Sequence, residues 1–539
     1  MKKRGVKSDV PLRDSSVKLE QIQPKVKANL LSKSMLLPCL LVFRIFNACL
    51  IKTWFVPDEF WQGPEVAHRL VFGYGYLTWE WQEGLRGYTF PLFFASAFKL
   101  LQFLGLDNAT ALIIVPRLLQ AILAAFGDLY LFKLSTKMFG KESAKWSLFC
   151  SLVSWFTFYC VTRTLTNSTE TILTTIALYY WPWEIQNEAE SKKNSNLTLS
   201  LLFAALSCLV RPTSAIIWIF LATISFFKSE RKMSFIFAHI MPIGILALLW
   251  SIFIDSWFYG KLTLVQLNFV AFNVIKDMGT FYGSHPWHWY FTQGLPTILF
   301  SHLPFFCAGV YNSKGSQRIS ALLILWVTFV YSFLGHKEFR FIFPILPLCI
   351  CYCGSYLSSL GASPDNSSKK AKKTSKSILL PAIIAFLCTT NIPVALYFSL
   401  VHQKGVIDVM AYLRNDFSNS NNISVLFLMP CHSTPYYSHI HENITMRFLE
   451  CPPNESPGYI DEADIFYQNP NEWLNEEYDK IGVQDEKLQA LPTHIICFNK
   501  LSKVINSFLK KFDYKECSRF FHTHFPEGHI GKEVIAYCR

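Results

Sequence analysis

Charged residues are scarce in this sequence. Asp, Glu, Lys and Arg make up 16% of its 539 residues, whereas a soluble globular protein carries about 25%. The sequence also has no glycine-rich phosphate loop, no CxxC or HExxH metal motif and no internal repeat of fixed period. It therefore gives no support to a nucleotide-binding or zinc-dependent enzyme of the common soluble types, and it disfavours the alternative of one large soluble core.

Long apolar runs occupy most of the sequence before the polar C-terminal part. Hydrophobic residues make up 51% of the chain, and the runs approach the roughly 20 residues that cross a bilayer. They lack the alternation of a membrane β-barrel. We therefore predict an all-α multi-pass membrane protein with about eleven transmembrane helices, near residues 35–53, 110–132, 146–162, 169–187, 198–211, 213–227, 233–254, 294–311, 319–335, 340–358 and 377–400. Arg211-Pro212 either separates two spans or interrupts one, and 90–106 is predicted to be an interfacial or re-entrant helix.

The distribution of Lys and Arg predicts the orientation of the chain. A net charge of +12 would suggest nucleic acid in a soluble protein, but here the basic residues lie in short segments between apolar runs, so we expect no nucleic-acid partner. The positive-inside rule places these segments in the cytosol; they are 1–34, 133–145, 184–196, 228–232, 311–318 and 361–376. Glycosylation motifs then lie on the lumenal side at Asn108, Asn167, Asn422, Asn443 and Asn454, while those at Asn196 and Asn366 should be unused.

Three parts of the chain are predicted. Residues 1–34 form a disordered cytosolic segment, 35–401 a transmembrane domain whose long first loop, 54–109, is lumenal, and 402–539 a lumenal α/β domain. Segments 423–429 and 494–498 are typical of buried strands, and 471–478 of a helix. The last part contains five cysteines, an odd number, so pairing in an oxidising compartment leaves one over; which cysteines pair stays open.

Adjacent carboxylates mark the start of the first loop. Asp58 and Glu59 follow the first apolar run, and Gln62, Trp79 and Glu80 come later in the same aromatic-rich loop. Ionisable groups at a membrane boundary indicate a functional site. The alternative is structural, because Pro57 followed by two acids also suits the first turn of a helix.

Three further polar clusters are predicted on the same side. Arg163 lies at a span end with Asn167 and Glu170, where a satisfied ion pair is the alternative to ligand contact. The segment 281–293 and the segment 335–344 supply the other two clusters: His285, Trp287 and His288 in the first, and His336, Lys337, Glu338 and Arg340 in the second.

These two clusters suggest different parts of a lipid substrate. The Trp and His residues suit a sugar or lipid headgroup, although an aromatic belt is the alternative; no acid or Cys stands at metal-ligand spacing, so no metal is expected. Lys and Arg suit a lipid-linked phosphate, although snorkelling at a span end is the alternative. A carboxylate base and phosphate-binding cations on one side indicate an enzyme. A lipid transporter would place ionisable groups near the bilayer midplane, and a scaffold would require none of this arrangement.

Several of these motifs resemble a known enzyme family. Residues 336–341, His-Lys-Glu-Phe-Arg-Phe, are similar to the HKE-x-RF signature of the dolichyl-phosphate-mannose-dependent mannosyltransferases of glycosyltransferase family 22, and 55–62 to its acidic first-loop motif. Phe339 stands where several relatives carry an acid. Segments 72–81, 285–290 and 430–439 resemble the branch that adds the third mannose of the glycosylphosphatidylinositol (GPI) anchor.

The resemblance implies a fold and a reaction. The fold would be the GT-C membrane fold, with its active site on the lumenal face of the endoplasmic reticulum membrane. Dolichyl-phosphate β-mannose would be the donor, the two-mannose GPI precursor lipid the acceptor, and the α-1,2 bond would form with inversion and without a cofactor. A related member acting in N-glycan assembly, or adding the fourth GPI mannose, is the alternative.

The resemblance also implies roles for individual residues. Asp58 would be the general base, with Glu59 as second choice, and His336, Lys337 and Arg340 would hold the donor phosphate. The implied substrate contacts are Gln62, Trp79, Glu80, Arg163, His285, Trp287 and His288.

Overall fold

Helices dominate the part of the chain before the C-terminal domain. An α-helix satisfies its own backbone hydrogen bonds, which a bilayer cannot do. The structure, a computed structural model, describes residues 35–183, 190–361, 371–417, 423–454, 456, 458–478 and 491–539. The predicted disordered segment 1–34 and the motifs at Asn366 and Asn422 lie outside these residues.

Six described helices are long and apolar enough to cross a membrane: Ala109–Phe139, Lys232–Tyr259, Tyr290–Tyr311, Ser316–Phe333, Phe339–Gly361 and Leu379–Phe417. Shorter apolar helices cover Leu36–Leu50, Thr89–Phe103, Asn194–Val210, Pro212–Lys228 and Val265–Ile275. The multi-pass helical architecture predicted from the sequence is confirmed.

Each predicted span overlaps one or two of the described α-helices. The α-helices up to residue 400 are α1 Leu36–Leu50, α2 Asp58–Trp61, α3 Pro64–Phe72, α4 Trp79–Gln82, α5 Thr89–Phe103, α6 Ala109–Phe139, α7 Lys141–Val153, α8 Trp155–Cys160, α9 Thr166–Tyr180, α10 Glu190–Val210, α11 Ala215–Lys228, α12 Lys232–Ser234, α13 Met241–Tyr259, α14 Val265–Val270, α15 Leu295–Leu299, α16 Leu303–Tyr311, α17 Ser316–Phe333, α18 Leu346–Gly361 and α19 Ala371–Leu400. The backbone of Arg211 is extended and separates α10 from a short 3-10 turn, Pro212–Ser214. The two predicted spans on either side of Arg211-Pro212 are therefore separate helices, α10 and α11. A further 3-10 segment, Phe339–Ile345, leads into α18.

Helix α9 is polar yet almost wholly buried. Its first turn brings Asn167 against the segment before α18, where the Asn167 amide donates to the Arg340 carbonyl oxygen at 3.1 Å. The Asn167 side-chain oxygen accepts from Arg211 at 3.2 Å, and Arg211 pairs with Glu170 at 3.2 Å. Through the hydrogen bond from Asn167, α9 holds the backbone of residue 340 in place.

The C-terminal domain contains a five-stranded sheet flanked by helices. Its strands are β1 Ser424–Leu428, β2 Thr445–Phe448, β3 His494–Phe498, β4 Lys515–Phe521 and β5 Glu533–Cys538, in the order β2-β1-β3-β5-β4. β1 is parallel to β2 and β3, whereas β5 is antiparallel to β3 and β4. The helices are α20 Gly405–Phe417, α21 Tyr437–Ile440, α22 Glu462–Gln468, α23 Pro470–Tyr478, α24 Asn499–Ser502 and α25 Asn506–Lys511. The predicted α/β character, both predicted strands and the predicted helix are confirmed.

Two disulfides join the C-terminal cysteines, Cys431 to Cys451 and Cys517 to Cys538. Cys497 stays free and buried. The odd cysteine expected from the count is therefore the one on β3, and the first bridge ties the segment after β1 to the segment after β2.

The first loop is packed into the C-terminal domain. Trp54, Phe60 and Trp61 share a core cluster with residues of α20 and β1. The Glu65 carboxylate accepts from the Tyr436 and Ser438 amides at 2.7 and 3.0 Å. Because α2 lies between these contacts, the C-terminal domain fixes the helix that begins with Asp58.

Candidate active site

One cavity of about 350 Å³ opens where four parts of the chain meet. The first loop, the 269–282 loop, the segment 336–341 and the C-terminal domain all contribute to its wall, and Arg211 joins them. Of the residues predicted from the sequence, five line it: Asp58, Trp79, Glu80, His336 and Arg340.

Asp58 and Arg340 form the charged floor of the cavity. Pro57 precedes Asp58 and sets the start of the short helix α2. The Asp58 Oδ2 atom lies 2.5 Å from Nη1 of Arg340. On its other edge the same guanidinium donates to both carboxylate oxygens of Glu338, from Nε at 2.7 Å and from Nη2 at 2.6 Å. One cation thus holds two carboxylates, Asp58 through one nitrogen and Glu338 through two.

The electrostatics keep Asp58 ionised. Burial raises the pKa of Asp58, but the guanidinium groups of Arg340 and Arg86 more than offset this, so its pKa lies below the ordinary value. Burial likewise raises the pKa of Glu338, and Arg340 and His336 bring that pKa well below its usual range.

His336 is a further cation of the cavity wall, which Arg86, Arg211 and Arg340 also line. Its Nδ1 lies 3.1 Å from the Gly283 carbonyl oxygen and its Nε2 lies 3.2 Å from Glu338. Both partners only accept hydrogen bonds, so both ring nitrogens donate and the ring is an imidazolium. Burial lowers the pKa of His336, and the Glu338 carboxylate raises it by more. A positively charged edge therefore faces the cavity.

Glu59 occupies a different environment from its neighbour Asp58. The Glu59 carboxylate accepts from Arg163 Nη1 at 2.7 Å, and both side chains are buried, at 1% and 0% exposure. Arg163 also donates to the carbonyl oxygens of Thr53 and Tyr159 at 2.7 and 2.8 Å. Glu59 and Arg163 thus form an ion pair beneath the cavity and do not line it.

Gln62 and Glu80 continue the polar wall of the first loop. Gln62 is buried and donates to Glu80 Oε2 at 3.3 Å. Arg86 donates from Nε to the other Glu80 oxygen at 3.0 Å. Glu80 and Arg86 line the cavity, whereas Gln62 supports Glu80 from behind.

Lys337 does not face the cavity. Its ammonium donates to the carbonyl oxygens of His285, at 2.8 Å, and Leu334, and the residue is 3% exposed. It binds the segment around His336 to the segment around His285. Lys337 therefore stabilises the local backbone and does not line the cavity.

The segment 285–288 reaches the 334–338 loop through its backbone. The His285 amide donates to the Gly335 carbonyl oxygen at 3.0 Å, and its ring stacks on Trp289. Trp287 is 69% exposed, and His288 contacts Thr292. None of these three predicted side chains is part of the cavity wall.

An aromatic wall faces the charged floor. Trp79 packs on Phe272 at a centroid distance of 5.4 Å and lies nearly parallel to Tyr282 at 6.2 Å. All three rings line the cavity. Such a surface suits the apolar face of a sugar ring.

Several lining residues were not predicted from the sequence as site residues. Glu338 stood inside a motif that was singled out, Arg86 is an ionisable residue of the first loop, and Arg211 stands at the predicted boundary between two spans. His432 falls in segment 430–439, which carried the family resemblance. Tyr282 lies in the segment 281–293, which was singled out, whereas Phe269, Phe272, Asn273 and Gly279 lie outside the predicted clusters and motifs.

Cys431, His432 and Cys451 are close enough to suggest a metal site, with potential ligand atoms within 4.8 Å of one another. The two sulfurs are bonded to each other, so neither is a thiolate that could ligate an ion. The expectation that the reaction needs no metal stays a prediction.

The cavity combines the elements of a transfer reaction on an anionic substrate. The partly buried Asp58 carboxylate can accept a proton, Arg340 and His336 can stabilise a leaving phosphate, and aromatic rings adjoin them.

Comparisons with known proteins agree with this assembly. The family model described as the Alg9-like mannosyltransferase family matches residues 35–441. The chain is 47% identical over 504 residues to the proteins named GPI alpha-1,2-mannosyltransferase 3 of Mus musculus and Homo sapiens. Both matches cover 93% of this chain. They cover 88% of the Mus musculus protein and 86% of the Homo sapiens protein. It is 45% identical to mannosyltransferase APTG1 of Arabidopsis thaliana, over 92% of this chain and 90% of that protein.

Solved structures share the fold. ArnT from Cupriavidus metallidurans bound to undecaprenyl phosphate matches with a TM-score of 0.59 and 10% identity, over 93% of this chain and 97% of ArnT. The mycobacterial arabinofuranosyltransferase AftD matches with a TM-score of 0.52 and 14% identity, over 94% of this chain and 40% of AftD. The architecture is thus the GT-C glycosyltransferase fold, and the extent of the sequence match shows that the chain belongs to the Alg9-like mannosyltransferase family.

Proposed function

We propose that this mannosyltransferase adds the third mannose of the GPI anchor. The donor is dolichyl-phosphate mannose, the acceptor is the two-mannose GPI precursor lipid, and the new bond is α-1,2. Support for the acceptor and the linkage comes from the names of relatives at 47% identity. The proposed location is the endoplasmic reticulum membrane, with the N-terminus cytosolic and the C-terminal domain lumenal.

The observation that carries the proposed chemistry is the contact between Asp58 and Arg340 inside the cavity. A donor phosphate needs the cations at this floor. Both hydrogen-bonding edges of the Arg340 guanidinium, however, already contact a carboxylate. Asp58 holds it through one nitrogen, whereas Glu338 holds it through two and also accepts from His336. The phosphate therefore displaces Asp58 and not Glu338.

Displacement prepares Asp58 to act as the base. Away from Arg340 its pKa rises, because the guanidinium is a main cause of the lowered value. The carboxylate then accepts the proton of the acceptor 2-hydroxyl as that oxygen bonds to C1 of the mannosyl group. The bond from C1 to the phosphate oxygen breaks, and its electron pair leaves with dolichyl phosphate. A single displacement converts the β donor into the α product without an enzyme-bound intermediate. Glu59 cannot replace Asp58 here because it is paired with Arg163 outside the cavity wall.

The leaving phosphate and the sugar have separate supports. Arg340 and the His336 imidazolium neutralise the developing phosphate charge, while Trp79 and Tyr282 suit the mannose ring and the Glu80–Arg86 pair suits its hydroxyl groups. In this assignment the Lys337 ammonium stabilises backbone carbonyl groups and does not bind the phosphate. No metal or other cofactor takes part. ArnT, which shares the fold, was solved with undecaprenyl phosphate, and this agrees with a polyprenyl phosphate as leaving group.

The decisive experiment is analysis of GPI precursors in cells lacking this protein. Accumulation of the two-mannose species, reversed by the wild-type chain and not by Asp58→Asn, supports the proposal. Accumulation of a three-mannose species would assign the fourth transfer instead. A truncated N-glycan precursor with normal GPI intermediates would move the enzyme to N-glycan assembly.

A further inference from the structure

The C-terminal domain contributes directly to the cavity wall. Cys431, His432 and Cys451 line it; the first two follow β1 and the third follows β2. The domain therefore does more than support the first loop from outside, since its side chains border the space that substrates enter.

His432 is held in an uncommon backbone conformation. Its φ of 57° lies in the left-handed region, which few residues other than glycine adopt. The preceding residue is tied by the Cys431–Cys451 disulfide, and the His432 ring contacts Trp61 and Phe448 at centroid distances of 5.0 and 5.1 Å. Such conformations persist where the surroundings enforce them, and they cluster at ligand-binding sites.

The ring of His432 has unused hydrogen-bonding capacity. In the part of the chain that the structure describes, neither ring nitrogen has a hydrogen-bond partner. Burial lowers the pKa of His432 to about 4, against the opposing field of the Asp58 carboxylate, so the ring is neutral near pH 7. A neutral imidazole offers one donor and one acceptor, which suits sugar hydroxyl groups and not a phosphate.

The position of His432 identifies which substrate it contacts. His432 and the proposed base Asp58 line the same cavity, and the field of the Asp58 carboxylate acts on the His432 ring. The base takes its proton from the acceptor, whereas the donor phosphate lies at Arg340 and His336. A neutral hydrogen-bonding group in the same cavity wall as the base therefore suits the acceptor sugar better than the donor phosphate.

We propose that His432 is an acceptor-binding residue, whose imidazole hydrogen-bonds hydroxyl groups of the terminal mannose of the lipid-linked acceptor. The C-terminal domain then forms one side of the acceptor subsite, and the disulfide holds that side in place. This assignment rests on the function proposed above.

The test separates acceptor binding from donor binding. Full-length wild type and His432→Ala are purified in detergent, and initial rates are measured with dolichyl-phosphate mannose and the two-mannose GPI precursor, each varied while the other is saturating. His432→Ala should raise the acceptor KM about tenfold, as expected for lost hydrogen bonds to neutral groups, and leave the donor KM unchanged. His432→Asn, which tolerates left-handed φ and keeps a donor and an acceptor, should recover part of the loss. His529→Ala is the matched control, because His529 is an exposed histidine of the same domain outside the cavity wall.

The thermal unfolding midpoint shows whether each variant is folded. If His432→Ala does not fold, His432→Asn carries the test through the same split between the two KM values. An unchanged acceptor KM in a folded, active variant, or equal changes in both KM values, overturns the assignment and leaves the proposed function standing. A folded wild type that does not use this substrate pair overturns the proposed function, and the assignment of His432 with it.

Discussion

The adjacent carboxylates Asp58 and Glu59 should respond in opposite ways to replacement by their neutral isosteres. Asp58→Asn removes the proposed base from the cavity and should abolish transfer without unfolding the protein. Glu59→Gln removes the partner of a buried cation and should destabilise the protein while leaving the catalytic groups in place.

The magnitudes follow from the two ion pairs. Glu59 and Arg163 are 1% and 0% exposed, and leaving one member of a buried pair without its partner costs about 3–5 kcal/mol. Asp58 is 17% exposed, and Arg340 keeps both of its contacts with Glu338 when Asp58 is neutral. Loss of the single Asp58 contact should therefore cost about 1 kcal/mol in stability. Loss of a general base lowers kcat by about 10²–10⁴-fold.

Two measurements on purified protein in detergent separate these effects: the thermal unfolding midpoint and the initial rate of mannose transfer per folded molecule. Glu83→Gln is the matched control, because Glu83 is an exposed acid of the same loop outside the cavity wall, and it should change neither quantity. A folded Asp58→Asn variant with near-normal activity would refute the assignment of the base. A Glu59→Gln variant as stable as wild type but inactive would show that the two roles have been exchanged.

Three further predictions concern residues around the site and the need for a metal. Arg340→Ala should raise the donor KM in a folded protein, whereas Lys337→Ala should lower the thermal unfolding midpoint, because the Lys337 ammonium holds backbone carbonyl groups; a donor KM effect in a fully stable Lys337→Ala variant would contradict this. Asn167→Gln should leave the glycan content unchanged, since Asn167 is 0% exposed and hydrogen-bonded through both amide atoms. The motif at Asn443 is exposed, so Asn443→Gln should remove a glycan if this side of the protein is lumenal. Electrophoretic mobility with and without glycosidase treatment measures the glycan content of both variants. Transfer should persist after dialysis against EDTA, and loss of activity that added Mn²⁺ or Mg²⁺ restores would establish a metal requirement.

Much of the fold could be predicted because the physical constraints are local. Apolar runs of sufficient length must become helices in a bilayer, and the short apolar segments 423–429 and 494–498 of the polar C-terminal part indicated β1 and β3. The strands β2, β4 and β5 were missed. β4 is mostly exposed, and their pairing with β1, β3 and one another depends on contacts distant in sequence.

The candidate site was predictable only in its chemistry. Asp58, His336 and Arg340 were named from residue type and motif, and the structure brings them to one cavity. The same reasoning could not separate Lys337 from its neighbours, because the direction of its side chain depends on the carbonyl oxygens of His285 and Leu334.

By itself, the sequence determined the membrane class, the basic and acidic clusters and the family, since composition, run length and motif are properties of the chain alone. Tertiary structure decided which of two adjacent acids faces the cavity: α2 directs Asp58 toward Arg340 and Glu59 toward Arg163. It also decided that a C-terminal residue, His432, lies in the same wall as the first loop. Both outcomes depend on the docking of elements that are hundreds of residues apart along the chain, and such contacts leave no local pattern in the sequence.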